Sequence, residues 1–335
     1  MKMKKLINDP LLVTDELVEG LVLAHRKKLR KLDDMNVVVR TDVDFSRKTG
    51  VVIGGGSGHE PLFLGFVGRG MGDSIAHGDI FTSPSVDVVY EAIKAADGGN
   101  GVVLIYGNYM GDILNFDMAQ ELARAEGMRV ETVRVWDDIA SAPPEKKDER
   151  RGTSADVFVI KIAGAASELG MSFDNVLRAA EKARDQSRSL GVSLSSCTLP
   201  AVGKPIFELE KDMMMIGMGV HGEPGIEKTK LLSADETADV IFSRLLDDDL
   251  ALQAGDEIAL LVNGYGATTM MELYIVNRRL HQLFEERGIG IYGNLVGNYC
   301  TSQEMAGCSV TMMKLDDELK MLYDQPAESP GLTLF

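Results

Sequence analysis

The chain has little cysteine, little histidine and a deficit of positive charge. Its three cysteines, Cys197, Cys300 and Cys308, form no C-x-x-C pair. That excludes a disulfide framework and offers no zinc-ligand spacing, so they read as buried, reduced thiols of an intracellular protein. Lysine and arginine number 35 against 51 aspartates and glutamates, a net charge of −16, which argues against nucleic-acid and anionic-membrane partners. No apolar run reaches the roughly 20 residues of a membrane-spanning helix. The opening MKMKKLINDP is charged with no apolar run behind it, so no signal peptide is expected and the cytoplasm is the expected location. There is no G-x-x-x-x-G-K-[ST] loop and no glycine-spaced aspartate cluster for a magnesium–nucleotide. The DDD at 247–249 reads as a solvated helix end.

What is present is an α/β rhythm over 335 residues, long enough for two domains. Residues 14–29 have helical periodicity, with Thr14 as candidate N-cap. VVI at 51–53 runs into glycines, and a helix is expected from near Pro61. GVVLIYGNYMGD at 101–112 is a strand, a loop and the start of a helix to about Glu126, and MRVETVRV at 128–135 is another strand. This repeat predicts a parallel sheet with helices on both faces, a three-layer α/β/α domain. The charged, proline-containing stretch 138–155 reads as a solvated loop, followed by helical runs at 156–169 and 173–189. Beyond it, strands at 192–198, 213–219, 257–263, 288–296 and 308–314 and helices near 233–247, 267–286 and 315–323 predict a mixed sheet in two layers. The boundary is placed near 190, giving domains 1–190 and 191–335.

Three strands end in similar loops, YGNYMGD, VNGYGAT at 262–268 and VGNYCTS at 296–302, and α/β proteins bind ligands at the carboxyl ends of strands. GMGVHG at 217–222 matches G-x-G-x-x-G, but Glu223-Pro224-Gly225 follows. No helix can start there to meet a pyrophosphate, so the dinucleotide reading is rejected. Of five histidines, His25 and His281 fall in amphipathic helices, and His77 reads as structural. His59 and His221 differ, because each follows a strand on a glycine-rich loop, in GGGSGHEP at 54–61 and GMGVHGEP at 217–224. Glycine lets a ligand approach the ring closely. A neutral imidazole, with an unperturbed pKa near ~6.5, can add to a ketone or aldehyde carbonyl, and an aspartate such as Asp112 near a second histidine makes an acid/base pair for a hydroxyl.

Six ordered blocks carry a resemblance: GGGSGHEP (54–61), GDIFTSPS (78–85), NYMGDILNFDMA (108–119), KIAGAA (161–166), GMGVHGEPG (217–225) and VNGYGATTMMELYI (262–275). Over nearly its whole length the chain resembles the K subunits of dihydroxyacetone kinases. The resemblance implies a two-domain α/β fold similar to that of the fatty-acid-binding DegV proteins, and a homodimer. It implies that His221 holds a short hydroxy-ketone covalently, as a hemiaminal through Nε2. His59 and Asp112 match the acid/base pair on the substrate hydroxyl, and Gly56, Ser57 and Gly58 match the substrate loop. No metal or cofactor is expected on this chain. ATP or ADP with Mg2+ is expected on a separate L subunit, which a phosphotransferase-system M protein recharges in some members. The sequence stops at Phe335 without an L domain, so the expectation is the substrate-binding half of a kinase.

One position departs from the pattern. Family members that phosphorylate dihydroxyacetone usually carry lysine before the NY of the third block; here it is Gly107. Two readings stay open: a pocket enlarged for a four-carbon ketose such as erythrulose, or a ketone-sensing co-activator that partners a transcription regulator.

Overall fold

The structure is a computed structural model that describes residues 4–32 and 34–335. It divides into two compact units that are not the contiguous halves 1–190 and 191–335. The first comprises Met1–Val135, Asp156–Ala183 and Leu319–Phe335, and the second Trp136–Ala155 and Arg184–Glu318. The chain crosses between units four times, because segments distant in sequence complete each core.

In the first unit, α1 (Val13–Ala24) precedes β1 (Leu29–Lys31), β2 (Val37–Arg40), β3 (Gly50–Ser57), β4 (Ser74–Ile80), α2 (Val86–Ala96), β5 (Val102–Gly107), α3 (Met110–Ala125) and β6 (Val130–Val135). α4 (Asp156–Glu168) and α5 (Phe173–Asp185) follow. The strand order is β1-β2-β4-β3-β5-β6. β4, β3, β5 and β6 are parallel, and β2 and β1 extend them antiparallel. Helices α2 and α3 seal one face over Val52, Leu104, Tyr106 and Phe116. Strand alternation sends Val51, Ile53, Val103 and Ile105 to the other face, and α4, buried from Asp156 to Ser167, packs on β3 and β5.

Two expectations fail in this unit. No α-helix starts at Pro61; only a short 3-10 turn at Leu64–Phe66 forms there, in a stretch with glycines at 65, 68, 70 and 72 that lower helix stability. Thr14 is not the N-cap, which is Leu12; Thr14 is buried inside the first turn, within 3.3 Å of the Ser57 hydroxyl.

The second unit holds β7 (Ser187–Ser193), β8 (Met213–Ile216), β9 (Glu227–Lys230), α6 (Ala234–Leu246), β10 (Glu257–Gly264), α7 (Met270–Glu286), β11 (Gly290–Gly297) and β12 (Gly307–Leu315). α8 (Asp317–Tyr323) leads the chain out of it. The sheet order is β11-β10-β12-β7-β8-β9, with only β10 and β11 parallel. α6 and α7 cover it through a core that includes Leu190, Ile241, Phe242, Leu260, Leu280 and Phe284, the two-layer mixed arrangement. Each helix opens with a capping box, Ser233 with Glu236 and Thr269 with Glu272, which satisfies its first backbone donors.

Two stretches read as solvated are so only in part: residues 143–146, 148, 149, 247 and 249 are exposed, but each stretch also carries a charge that is buried and paired. Arg150, 0% exposed at its side chain, forms two parallel bonds to Asp248, of 3.0 and 2.6 Å, and Arg188 reaches Asp248 and Asp249. Burial pushes the Asp248 carboxyl up, but the bonds from Arg150 and its neighbours outweigh this and hold it well below the usual carboxylate range. Arg150 and Arg188 thus lock onto Asp248 and Asp249, because guanidinium and carboxylate geometries match in pairs.

Candidate active site

In the first unit the candidate residues gather at the carboxyl ends of β3 and β5. Gly56 and Ser57 close β3, Gly58 and His59 begin the loop after it, Gly107 closes β5, and Asp112 lies in the first turn of α3. The loop after β4 ties them together. Phe81 stacks its ring on His59, 4.8 Å between centroids. Asn115 of α3 donates to Ser83 and to the carbonyl of Pro84, at 3.2 and 2.8 Å.

The substrate-type loop is held from behind. Ser57 Oγ donates to the Gly78 carbonyl at 2.7 Å and lies 2.9 Å from His77 Nε2. Burial pushes the His77 imidazolium down to about 4, so the ring is neutral at pH 7. Gly58 has φ +96, and a Cβ there would stand 2.7 Å from the Phe81 ring; neither the backbone nor the stacked ring admits a side chain. The Glu60 carboxylate turns back to accept from Gly58 N–H at 2.9 Å. Burial raises its carboxyl above the usual range, against the bond from Gly58. The Glu60–Pro61 peptide is cis. At Gly107 a Cβ would meet the Tyr109 ring at 3.3 Å and Asp156 Oδ2 at 3.5 Å. A lysine here would begin its course beside the buried carboxylate that heads α4.

His221 belongs to the second unit, in the loop between β8 and β9, and no helix follows its glycines. The loop closes on itself through Gly219 N–H to the Glu223 carbonyl at 3.2 Å and Gly222 N–H to the Gly219 carbonyl at 3.2 Å. The His221 side chain is 23% exposed, and its Nδ1 lies 2.8 Å from Glu223 Oε1. Glu223 Oε2 accepts the His221 backbone N–H at 2.5 Å. Arg151 Nη1 stands 3.9 Å from the same carboxylate, while its other nitrogens hold Asp138 at 2.9 and 2.7 Å and the Gly217 carbonyl at 3.1 Å. Burial pushes the Glu223 carboxyl up, but the bond and charge of His221, with Arg151, outweigh it and hold the group below its usual range. Asp138 goes the other way: burial raises it to about 6 despite Arg151.

Sequence reasoning named the histidines and glycines and passed over Glu60, Phe81, Arg151 and Glu223. The glutamates had a visible signal, since each stands before proline in a quoted histidine motif. Arg151 had none, lying in a stretch that looks like a surface loop.

Among the described residues, no group of three or more histidine, cysteine, aspartate or glutamate side chains is placed to hold a metal ion. Among them too, no helix is long and apolar enough to cross a membrane.

Two α/β units whose histidines stand on glycine loops at strand ends define a class of small-molecule-binding protein. Comparison with known proteins gives the family. The Dak1 domain matches residues 19–331, and the chain belongs to that family. It is 45% identical over 329 residues, 98% of each chain, to the dihydroxyacetone-binding subunit DhaK of PTS-dependent dihydroxyacetone kinase 2 from Listeria innocua. It is 41% identical to the L-erythrulose kinase of Pectobacterium atrosepticum, over 98% of this chain and 56% of that one. Among solved structures, the dihydroxyacetone kinase of C. freundii in complex with AMP-PNP and Mg2+ superposes with TM-score 0.89 at 32% identity. This chain spans 61% of that enzyme's length. The dihydroxyacetone kinase operon co-activator DhaQ superposes at 0.87 with 30% identity, over 93% of this chain and 96% of that one. A DegV family protein from Thermus thermophilus reaches 0.50 at 11% identity over 80% of this chain, a likeness of fold alone.

Proposed function

We propose that the chain is the ketone-binding subunit of a cytoplasmic kinase that phosphorylates a short hydroxy-ketone. The ketone is held as a hemiaminal on His221 Nε2. The observation that carries this reading is the His221 ring itself: part-exposed on a glycine loop, with Nδ1 bound to a carboxylate. That bond puts the ring proton on Nδ1 and the nucleophilic lone pair on Nε2. A covalent link selects carbonyl compounds over polyols by chemistry rather than by size. His59 and Asp112 act as acid and base on the substrate hydroxyl, and the loop of Gly56, Ser57 and Gly58 receives the substrate.

The nucleotide and Mg2+ are carried by a separate L-type subunit, recharged in place by a phosphotransferase-system M protein or exchanging ATP directly. The K-type chain works as a homodimer. Its share of catalysis is to position and deprotonate the acceptor. Gly107 favours a four-carbon ketose, because it stands where members that phosphorylate dihydroxyacetone usually carry a lysine, and so removes a cation and its bulk. The similarity to erythrulose kinases supports the same choice.

The test mixes the chain with an L-type subunit, ATP and Mg2+ and supplies dihydroxyacetone or erythrulose. Turnover lost in His59→Ala and Asp112→Ala, with a higher kcat/KM for erythrulose that Gly107→Lys reverses, supports the reading. The likeness to DhaQ favours one rival, a ketone-binding co-activator. Ketone binding without phosphate transfer to either sugar would select it.

A further inference from the structure

The proposed function uses the bond from Glu223 to His221, but gives no task to the charge of that glutamate or to Arg151, which faces it. We propose that Glu223 is a positioning residue: it holds the His221 proton on Nδ1 and supplies the counter-charge for the cation that forms when Nε2 bonds to carbon. This inference rests on the hemiaminal reading above.

The geometry is specific. One carboxylate oxygen takes the ring at 2.8 Å and the other takes the backbone N–H of the same residue at 2.5 Å. A carboxylate bound twice to one histidine fixes both the ring's direction and its tautomer, as partners of metal-bound and catalytic imidazoles do. The space for it is made by Gly219, where a Cβ would lie 2.0 Å from Glu223 Oε2 and 2.6 Å from Arg151 Nη1. Any side chain at 219 would evict the carboxylate. Arg151, anchored on Asp138 and the Gly217 carbonyl, faces the same carboxylate and favours its ionised form.

The covalent step shows why a charge is needed. The Nε2 lone pair forms a bond to the carbonyl carbon, and the C=O π pair moves to oxygen. That oxygen takes one proton from solvent and becomes a hydroxyl. The ring, now substituted at Nε2 and still protonated at Nδ1, is an imidazolium. Its positive charge faces Glu223, so adduct formation creates an ion pair out of a hydrogen bond.

The experiment follows the adduct with dihydroxyacetone 13C-labelled at its carbonyl carbon, whose signal moves from the ketone to the tetrahedral region. It reads the His221 tautomer from 15N spectra of the free protein. Glu223→Gln keeps an acceptor for Nδ1–H but loses the charge; Glu223→Ala loses both. The expected result is adduct affinity lower by roughly tenfold to a hundredfold in Glu223→Gln. Glu223→Ala binds more weakly still, and its 15N pattern moves toward the Nε2–H form. Circular dichroism checks that both variants are folded. Equal adduct affinity in wild type and Glu223→Gln overturns the counter-charge role, and an unchanged 15N pattern in Glu223→Ala overturns the tautomer role. Wild-type protein that forms no adduct while keeping an Nδ1–H pattern overturns the hemiaminal reading instead. Gly219→Ala, which leaves the carboxylate in the sequence but displaces it, is expected to behave like Glu223→Ala; wild-type behaviour would count against the inference.

Discussion

The loop after β3 and the loop after β8 follow one plan to different ends. In both, a histidine on a glycine loop is followed by glutamate and proline, and the glutamate folds its carboxylate back onto a backbone N–H two residues earlier. Glu60 takes Gly58 and Glu223 takes His221. The turn is local and the sequence motif specifies it. The charge is not local. Burial raises the Glu60 carboxyl against the bond from Gly58, whereas Glu223 has His221 and Arg151, and its carboxyl falls despite burial. The rings differ likewise: His59 is stacked on Phe81, and His221 is bound through Nδ1. One ring is braced by an aromatic face and the other is tuned by a charge.

The comparison can be broken most severely at Arg151. Arg151→Leu removes the cation from the second loop and leaves Asp138, 4% exposed, without its guanidinium. A cost of about 3–5 kcal/mol is expected, read as a drop in urea midpoint with an unchanged slope. A loss under 1 kcal/mol would mean that the cation is dispensable.

The next largest effect belongs to the first loop, through His77. Its folded-state value lies near 4 against an unfolded 6.5, so the native state favours the neutral ring. The associated stability, roughly 3 kcal/mol, is complete above the unfolded value and is lost as pH falls from 6.5 toward 4. Urea titrations of wild type and His77→Gln should therefore converge on acidification through that window. Curves that stay parallel would refute it.

The smallest effect is the sharpest discriminator. A carboxyl raised by folding loses stability as pH rises from its unfolded value through its folded one. A carboxyl lowered by folding loses stability as pH falls through its folded value. Across the carboxylate range, the Tm of Glu60→Gln relative to wild type should rise with pH and that of Glu223→Gln should fall. Each change is expected to be a few degrees at most, and matching slopes would erase the distinction between the loops.

Periodicity made most helices and the longer strands legible. α3, α4, α6, α7, β10 and β12 lie within a few residues of their expected places, because each pairs a continuous apolar pattern with clear stops. β1, β2, β4 and β9 escaped, being short or rich in polar residues and glycine, and β7 begins five residues earlier than expected because helical periodicity was carried past Asp185. The strand-end glycines and histidines were legible because close approach demands them. The ion pairs were not: Arg151 and Glu223 are 72 positions apart, and Arg150 and Asp248 are 98 apart. Only the fold reveals that a charged surface-like stretch has a buried partner.

The last seventeen residues, Leu319–Phe335, return to the unit that the chain began. There the carbonyl of Leu322 accepts the ammonium of Lys161, a side chain otherwise sealed from water at 1% exposure. The first unit thus closes its core with a segment 161 positions away from the lysine it braces. A truncation that removed Leu319–Phe335 would therefore strip the unit built around the amino-terminal sheet and leave every segment of the other unit in place.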